Sequence, residues 1–355
     1  MPTFRPRHLS PAALTVASLA VLVGFKLAES PGGRMATFGR MYLDGLDDAQ
    51  RSETTLPFAD ASRVGWHFFP MADRKGLPLR DMNDAQRTAA LRLVRAALSE
   101  FGYEKTHRVR MLESVVADLE GPDRNWSRDP GDYYVTLFGT PGETEPWGLS
   151  FEGHHISMNF TCRDGVVVDG TPQFLGAHPA AVPDDYTPPG DKLPTLPAGI
   201  RVLAEEEDAG FDLVAMLDAD QRAAAIVAEE APAEVRFVGD AQAGVEGEPV
   251  GIAYADLRPD QKKQLKFLVS LYTDIAADTV AEKRRRAIED AGWDNVHFAW
   301  MGATDPGIGH YYRVRGPTFL IELNNNQPDA LGNPANHVHT VLRDLTGDFD
   351  LPPAN

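Results

Sequence analysis

The chain has 355 residues and a mass of 38.8 kDa, enough for two ordinary domains or one large two-lobed one. With 43% hydrophobic and 24% charged residues it matches neither a disordered chain nor a multi-span membrane protein. Asp and Glu outnumber Lys and Arg by 52 to 34, and the resulting net charge of −18 repels a phosphate backbone, so no nucleic-acid partner is expected. The single cysteine, Cys162, excludes an intrachain disulfide and a thiolate metal cluster, leaving His and carboxylates to hold any ion.

The N-terminus carries Arg5, Arg7 and His8, then an apolar run from Pro11 to Phe25, Lys26, and a loop-like stretch from Ser30 to Arg34. A basic region followed by an apolar segment too short for a comfortable bilayer span is the pattern of a secretory signal. The expectation over 1–34 is therefore export to a periplasmic or extracellular location. Lys26 sits where a cleavage site wants a small residue, so an uncleaved N-terminal anchor, the only membrane contact foreseen, is one alternative, and an amphipathic helix packed on the domain is the other.

One hexapeptide pattern recurs four times: LDDAQR from Leu46, MNDAQR from Met82, LDADQR from Leu217 and LRPDQK from Leu257. In the first three, Asp47, Asn83 or Asp218 stands three residues before Gln50, Gln86 or Gln221, the spacing of a helix capping box. In the fourth, Pro259 suits a first helical position. The intervals are 82 − 46 = 36 and 257 − 217 = 40 within the halves, and 217 − 46 = 171 between them. An internal duplication is the simplest reading.

Amphipathic helices follow each second copy, with Leu91, Val94, Leu98 and Phe101 in the first half and Leu265, Leu268, Val269, Tyr272 and Ile275 in the second. Strands come next, and the pair Tyr133-Tyr134 is matched to Tyr311-Tyr312 at an offset of 311 − 133 = 178. The expected fold is α+β: two duplicated lobes, each with helices first and antiparallel strands after, at 35–171 and 206–355. A proline-rich surface connector over 172–205 joins them, and a site is expected at their junction.

Four of the ten histidines fall in two strand-like segments. Strand alternation from Glu152 to Thr161 sets Ile156, Met158 and Phe160 on one face and His155, Ser157, Asn159 and Thr161 on the other, a polar stripe that is either solvated or the floor of a cleft. Gly153 marks a bulge that turns His154 aside. Near the C-terminus, His337 and His339 share a strand face, a geometry from which two imidazoles can ligate one ion. Glu322, fifteen residues before His337, is the natural third ligand, with His155 and His154 as alternatives. Histidines used only for internal hydrogen bonding remain the plain alternative to a metal site. His67 in Trp66-His67-Phe68-Phe69 reads as part of a buried aromatic plug, Cys162 as an inert buried thiol, and Lys283 to Arg286 as a solvated helix face. Arg313, Arg315 and Arg343 are either anion-binding or merely exposed. No phosphate loop, GxSxG elbow or dinucleotide fingerprint is present.

The segments WHFFP, GLPLRDM, EGHHISMNFT, TPQFLGAHP, HYYRVRGPTFLIE and NHVHTVLRD together resemble the domain of unknown function 3500 family, a group of mostly exported proteins, over nearly the whole chain after Met35. The resemblance implies an exported location and a clustering of the motif residues His154, His155, Ser157, Asn159, Phe160, His337, His339, Arg343 and Asp344. It implies no activity.

The functional expectation is a metal-dependent enzyme, hydrolase-like, holding a divalent ion, zinc ahead of iron or copper. Glu152 would act as general base, Arg343 would stabilise developing negative charge, Asp344 would be a further catalytic residue, and Ser157, Asn159, Arg313 and His310 would meet a small-molecule or polymer substrate. A non-catalytic exported protein that binds a metal or a small ligand is the competing expectation.

Overall fold

The computed structural model describes residues 30–187, 196–244, 247–329 and 331–353. The stretch read as an export signal lies outside the described residues up to residue 29. Among those described, no helix is long and apolar enough to cross a membrane.

The chain runs α1 (Pro31–Asp44), α2 (Asp48–Thr54), β1 (Thr55–Leu56), β2 (Leu77–Pro78), α3 (Asp84–Ala97), α4 (Glu100–Glu120), β3 (Tyr133–Phe138), β4 (Trp147–Gly153), β5 (Ile156–Arg163), β6 (Val166–Asp169) and β7 (Gln173–Ala177). A similar order then recurs: α5 (Ala204–Met216), α6 (Ala219–Ala225), β8 (Ile226–Ala228), β9 (Ile252–Ala253), α7 (Pro259–Thr273), α8 (Asp278–Ala291), β10 (His297–Gly302), β11 (His310–Arg315), β12 (Phe319–Asn325) and β13 (Val338–Asp344).

The four hexapeptides start α2, α3, α6 and α7. Asp47, Asn83 and Asp218 each accept from the backbone N–H three residues on, and the glutamine there reaches back to the cap residue, closing the box. Pro259 opens α7. The glutamines also clasp each other in pairs. Gln86 donates to Gln50 Oε1 at 2.8 Å and Gln261 donates to Gln221 Oε1 at 2.7 Å, with the reciprocal amide contacts at 3.3 and 3.0 Å. One residue type thus caps a helix and ties it to its neighbour.

The α+β expectation holds, but the strands make one continuous mixed sheet rather than two separate lobes. Its order is β1-β3-β4-β5-β7-β13-β12-β11-β10-β8, with β2 on β3, β6 on β5 and β9 on β10. β1 and β8 pair in parallel with β3 and β10, and the other ladders are antiparallel. Ladder register repeats at a fixed offset. Thr136 opposes Ser150 as Ala299 opposes Arg313, and Ser150 opposes Asn159 as Arg313 opposes Glu322; 299 − 136 = 163 and 322 − 159 = 163. The strand with the neighbours of β3 is therefore β10, and matching Tyr133 to Tyr311 sets β3 against β11, one strand out of place. Paired aromatics recur because both strands are buried, not because they are equivalent. The stretch expected as a surface connector also contains β7, a buried strand in the middle of the sheet. Its apolar run Phe174-Leu175 is outweighed in composition by the prolines that follow.

Both sheet faces are covered. The larger core packs Ile156, Met158, Phe160, Leu175, Ile321 and Leu342 against the helices. On the opposite face a smaller core of Trp66, Phe68, Phe174, Val235, Val341 and Phe349 is built from strands, loops and one short 3-10 turn. The aromatic plug is half as expected: Trp66 and Phe68 are buried, whereas His67 and Phe69 are exposed.

Candidate metal centre

The loop-covered face carries the site. β4 and β5 are joined by only His154 and His155, with Gly153 opposite Ile156. A two-residue hairpin connection favours positive φ, which His155 adopts at 64°. His155 is thus a turn residue and does not share a strand face with Ser157. The turn is fixed at both sides: His155 N–H donates to Phe68 O at 2.9 Å, and Gly176 N–H donates to His155 O at 2.8 Å. In β13, His339 stands opposite Gly176 of β7, the seam where the two halves of the sheet meet. His337 immediately precedes that strand, its backbone N–H held by Asn325 Oδ1 at 3.1 Å.

These elements bring three imidazoles to one point. The Nε2 atoms of His155 and His337 are 2.8 Å apart, those of His155 and His339 3.3 Å, and those of His337 and His339 3.1 Å. Nitrogens about 2.0–2.1 Å from a shared ion lie roughly 2.9 Å apart at right angles and roughly 3.3 Å apart at tetrahedral angles. The observed spacings span that range, and His155, His337 and His339 are the metal-capable group among the described residues. Burial, reinforced by the neighbouring imidazoles, holds His155 and His337 well below the usual histidine range, so both rings are uncharged near neutral pH and present lone pairs. Gly176 makes the convergence sterically feasible: a Cβ there would stand 2.9 Å from the His155 ring and 3.1 Å from that of His339.

A second layer of residues orients the rings. Both Glu234 oxygens lie 2.8 Å from His339 Nδ1, placing the ring hydrogen on Nδ1 and the lone pair on Nε2. Phe68 meets His339 edge-on at 4.8 Å. Asn325, which holds His337, donates in turn to Glu207 Oε1 at 2.6 Å. His154 stands outside the converging group. Its ring stacks on His155 at 3.7 Å, its Nδ1 meets Glu113, and Arg128 Nη1 lies 3.0 Å away while its other nitrogens bind Glu120. His178 stacks on His337 at 4.3 Å, and burial pushes its pKa down to about 4.

The structure places the other expected site residues elsewhere. Glu322 shares the sheet face of His339, but its carboxylate accepts from Tyr311 Oη and from Arg236 N–H and stands apart from the three imidazoles, so His155 takes the position proposed for it. The polar stripe is neither solvated nor a cleft floor. Asn159 donates to Ser157 Oγ and Pro172 O, Ser150 donates to Asn159 Oδ1, and Ser157 donates to Glu152 Oε1, all buried under loops. Glu152, expected as general base, is ion-paired with Lys75 at 2.8 Å. Arg343 is wholly buried with its donors on Asp348 Oδ2, Phe237 O and Asp240 O, which leaves it no role at a developing charge. Asp344 accepts from Thr346 N–H and so closes the turn after β13. His310 packs between Trp300 and Phe211, its Nε2 3.0 Å from Glu207, and Arg313 lies across the ladder from Glu322. In the basic run, Arg284 turns inward to Gly170 O and Gln173 Oε1.

Sequence reasoning missed Glu234, Glu113, Arg128, His178, Asn325 and Gly176. Glu234 and Arg128 lie in irregular loops without periodicity, and their partners are 105 and 26 residues away. The one available signal was the Gly176-Ala177-His178-Pro179 run, which carries a glycine and a histidine beside a strand end.

No curated protein and no solved structure matches the chain. A family model does, over residues 28–351, and on that near-complete match the chain belongs to the family described as protein of unknown function DUF3500.

Proposed function

We propose that the protein is a metal-dependent enzyme of hydrolase type in which His155, His337 and His339 hold one divalent cation. The observation that carries this reading is the convergence of three Nε2 atoms at 2.8–3.3 Å, with Glu234 fixing one tautomer. Three neutral nitrogens with no thiolate suit zinc first, then copper or iron. A cation held by His155, His337 and His339 would supply a bound water of lowered pKa, about 7 for zinc, and would polarise a substrate carbonyl. The chain supplies the rest: Glu234 orients the His339 ring, Gly176 lets the rings come together, and the half-buried His337 marks the side from which a ligand enters. Export is part of the proposal and is supported by the basic and apolar N-terminal residues.

The deep burial of His155 and His339, each 3% exposed, favours a second reading, a protein that sequesters the ion without turnover. Elemental mass spectrometry on protein purified without a histidine tag, wild type against His337→Ala/His339→Ala, tests the shared part. Near-stoichiometric metal lost in the variant is expected; equal metal in both, or none after reconstitution, overturns the metal site. A hydrolytic activity that survives in the metal-free variant overturns the catalytic part alone.

A further inference from the structure

His178 is 7% exposed, and its Nε2 is a buried polar atom with no hydrogen-bond partner among the described residues. Buried donors and acceptors are satisfied in nearly all native structures, so an orphan calls for a partner from outside the chain, a water or a ligand. Its position says what. The His178 ring is stacked on the metal-capable His337 at 4.3 Å and 17°, and its centre is 6.2 Å from that of His155, yet it stands outside the group whose ligand atoms all lie within 4.8 Å of one another. It is not one of the three converging ligands, and its ring lies directly against one of them. Three imidazoles bring no negative charge of their own into contact with a divalent ion, which favours an anion there.

We propose that His178 is a substrate-contacting residue, its Nε2–H donating to an oxygen-donor anion, of carboxylate or hydroxamate type, bound at the open position of the ion. This rests on the metal reading above and deepens it by naming the ligand class and the group that recognises it. The backbone supports the placement. His178 directly follows β7, which ends at Ala177 and sets Gly176 against the His155 and His339 rings.

The test uses cobalt(II) as the ion, whose visible absorption reports both loading and ligand exchange, and acetohydroxamate as the anion. Wild type, His178→Phe and His178→Leu are loaded with cobalt and then titrated; two variants keep the comparison readable where one replacement does not fold. The expected result is cobalt affinity within about twofold of wild type and acetohydroxamate affinity weakened about tenfold, the effect of one lost hydrogen bond. Unchanged acetohydroxamate affinity with normal cobalt loading overturns the role of His178 and leaves the metal site standing. Cobalt lost from the variants overturns it also, making His178 a ligand. Cobalt refused by the wild type overturns both readings together.

Discussion

Both carboxylate oxygens of Glu234 lie 2.8 Å from Nδ1 of His339, so one acidic side chain sets the tautomer of a candidate ligand 105 residues away in the chain. Partners of this kind typically contribute 10–100-fold to metal affinity. Glu234→Ala is expected to weaken zinc binding by about that factor while His339 remains in place, and Glu234→Gln, which keeps an acceptor oxygen, by less. Competition against a chelator of known affinity measures both, and equal affinities for all three proteins would sink the assignment.

Gly176 is expected to tolerate no side chain. The Cβ of Gly176→Ala would come within 2.9 Å of His155 and 3.1 Å of His339, and the neighbours are rings held by backbone contacts on either side. The variant should lose about 1–3 kcal/mol of stability through overpacking. It should also bind metal about 10–100-fold more weakly because the rings are pushed off their point of convergence. Chemical denaturation and metal titration read the two effects separately.

Arg343 is expected to matter for folding and not for chemistry. Its guanidinium is 0% exposed, bonds Asp348 at 2.8 Å and lies over the Trp66 ring. Removing one partner of such a buried pair strands the other, so Arg343→Met should cost about 3–5 kcal/mol. The fraction that remains folded should bind metal as the wild type does. Metal loss without loss of stability would restore a site role.

Asp169 gives a pH signature remote from the histidines. Burial raises its pKa from 3.8 to about 7, opposed by Arg284, while its oxygens accept from Thr171 N–H and Oγ1. A folded-state pKa above the unfolded one means that the folded chain binds the proton more tightly, so this contribution is full below about pH 4 and is lost as pH rises through 7. Asp169→Asn has no such proton to lose. Its melting temperature should match the wild type near pH 4 and exceed it increasingly up to about pH 7, then by a constant margin equivalent to a few kcal/mol. A difference independent of pH would contradict the assignment.

Local features were the legible ones. Capping boxes involve residues three apart, so all four helix starts could be read, and the His337-x-His339 spacing placed two ligand candidates on one side of a strand. The HH pair was visible too, but its turn was not: strand alternation assigns His155 to the face of Ser157, while the hairpin needs its two linking residues out of the ladder. Glu322 was the choice for the third ligand because it precedes His337 closely in sequence. The structure brings His155 to the pair instead, 182 residues from His337, since β7 and not sequence proximity determines what meets β13. The polar stripe of Ser157 and Asn159 misled for a related reason. Alternation shows that a face differs from the core, not whether loops such as the one carrying Phe349 will close over it.

β13 is the last strand among the described residues and sits in the middle of the sheet, between β7 and β12. Until residues 338–344 are made, the sheet consists of two pieces, each with a long unpaired edge of the sort that invites aggregation. Completion therefore requires late insertion of a segment whose partner in β7 lies more than 160 residues upstream, a high-contact-order step and a slow one. That same insertion delivers His339 beside His155. A chain that stops or is clipped before β13 would consequently lack the convergence of His155, His337 and His339 and the joined sheet at once.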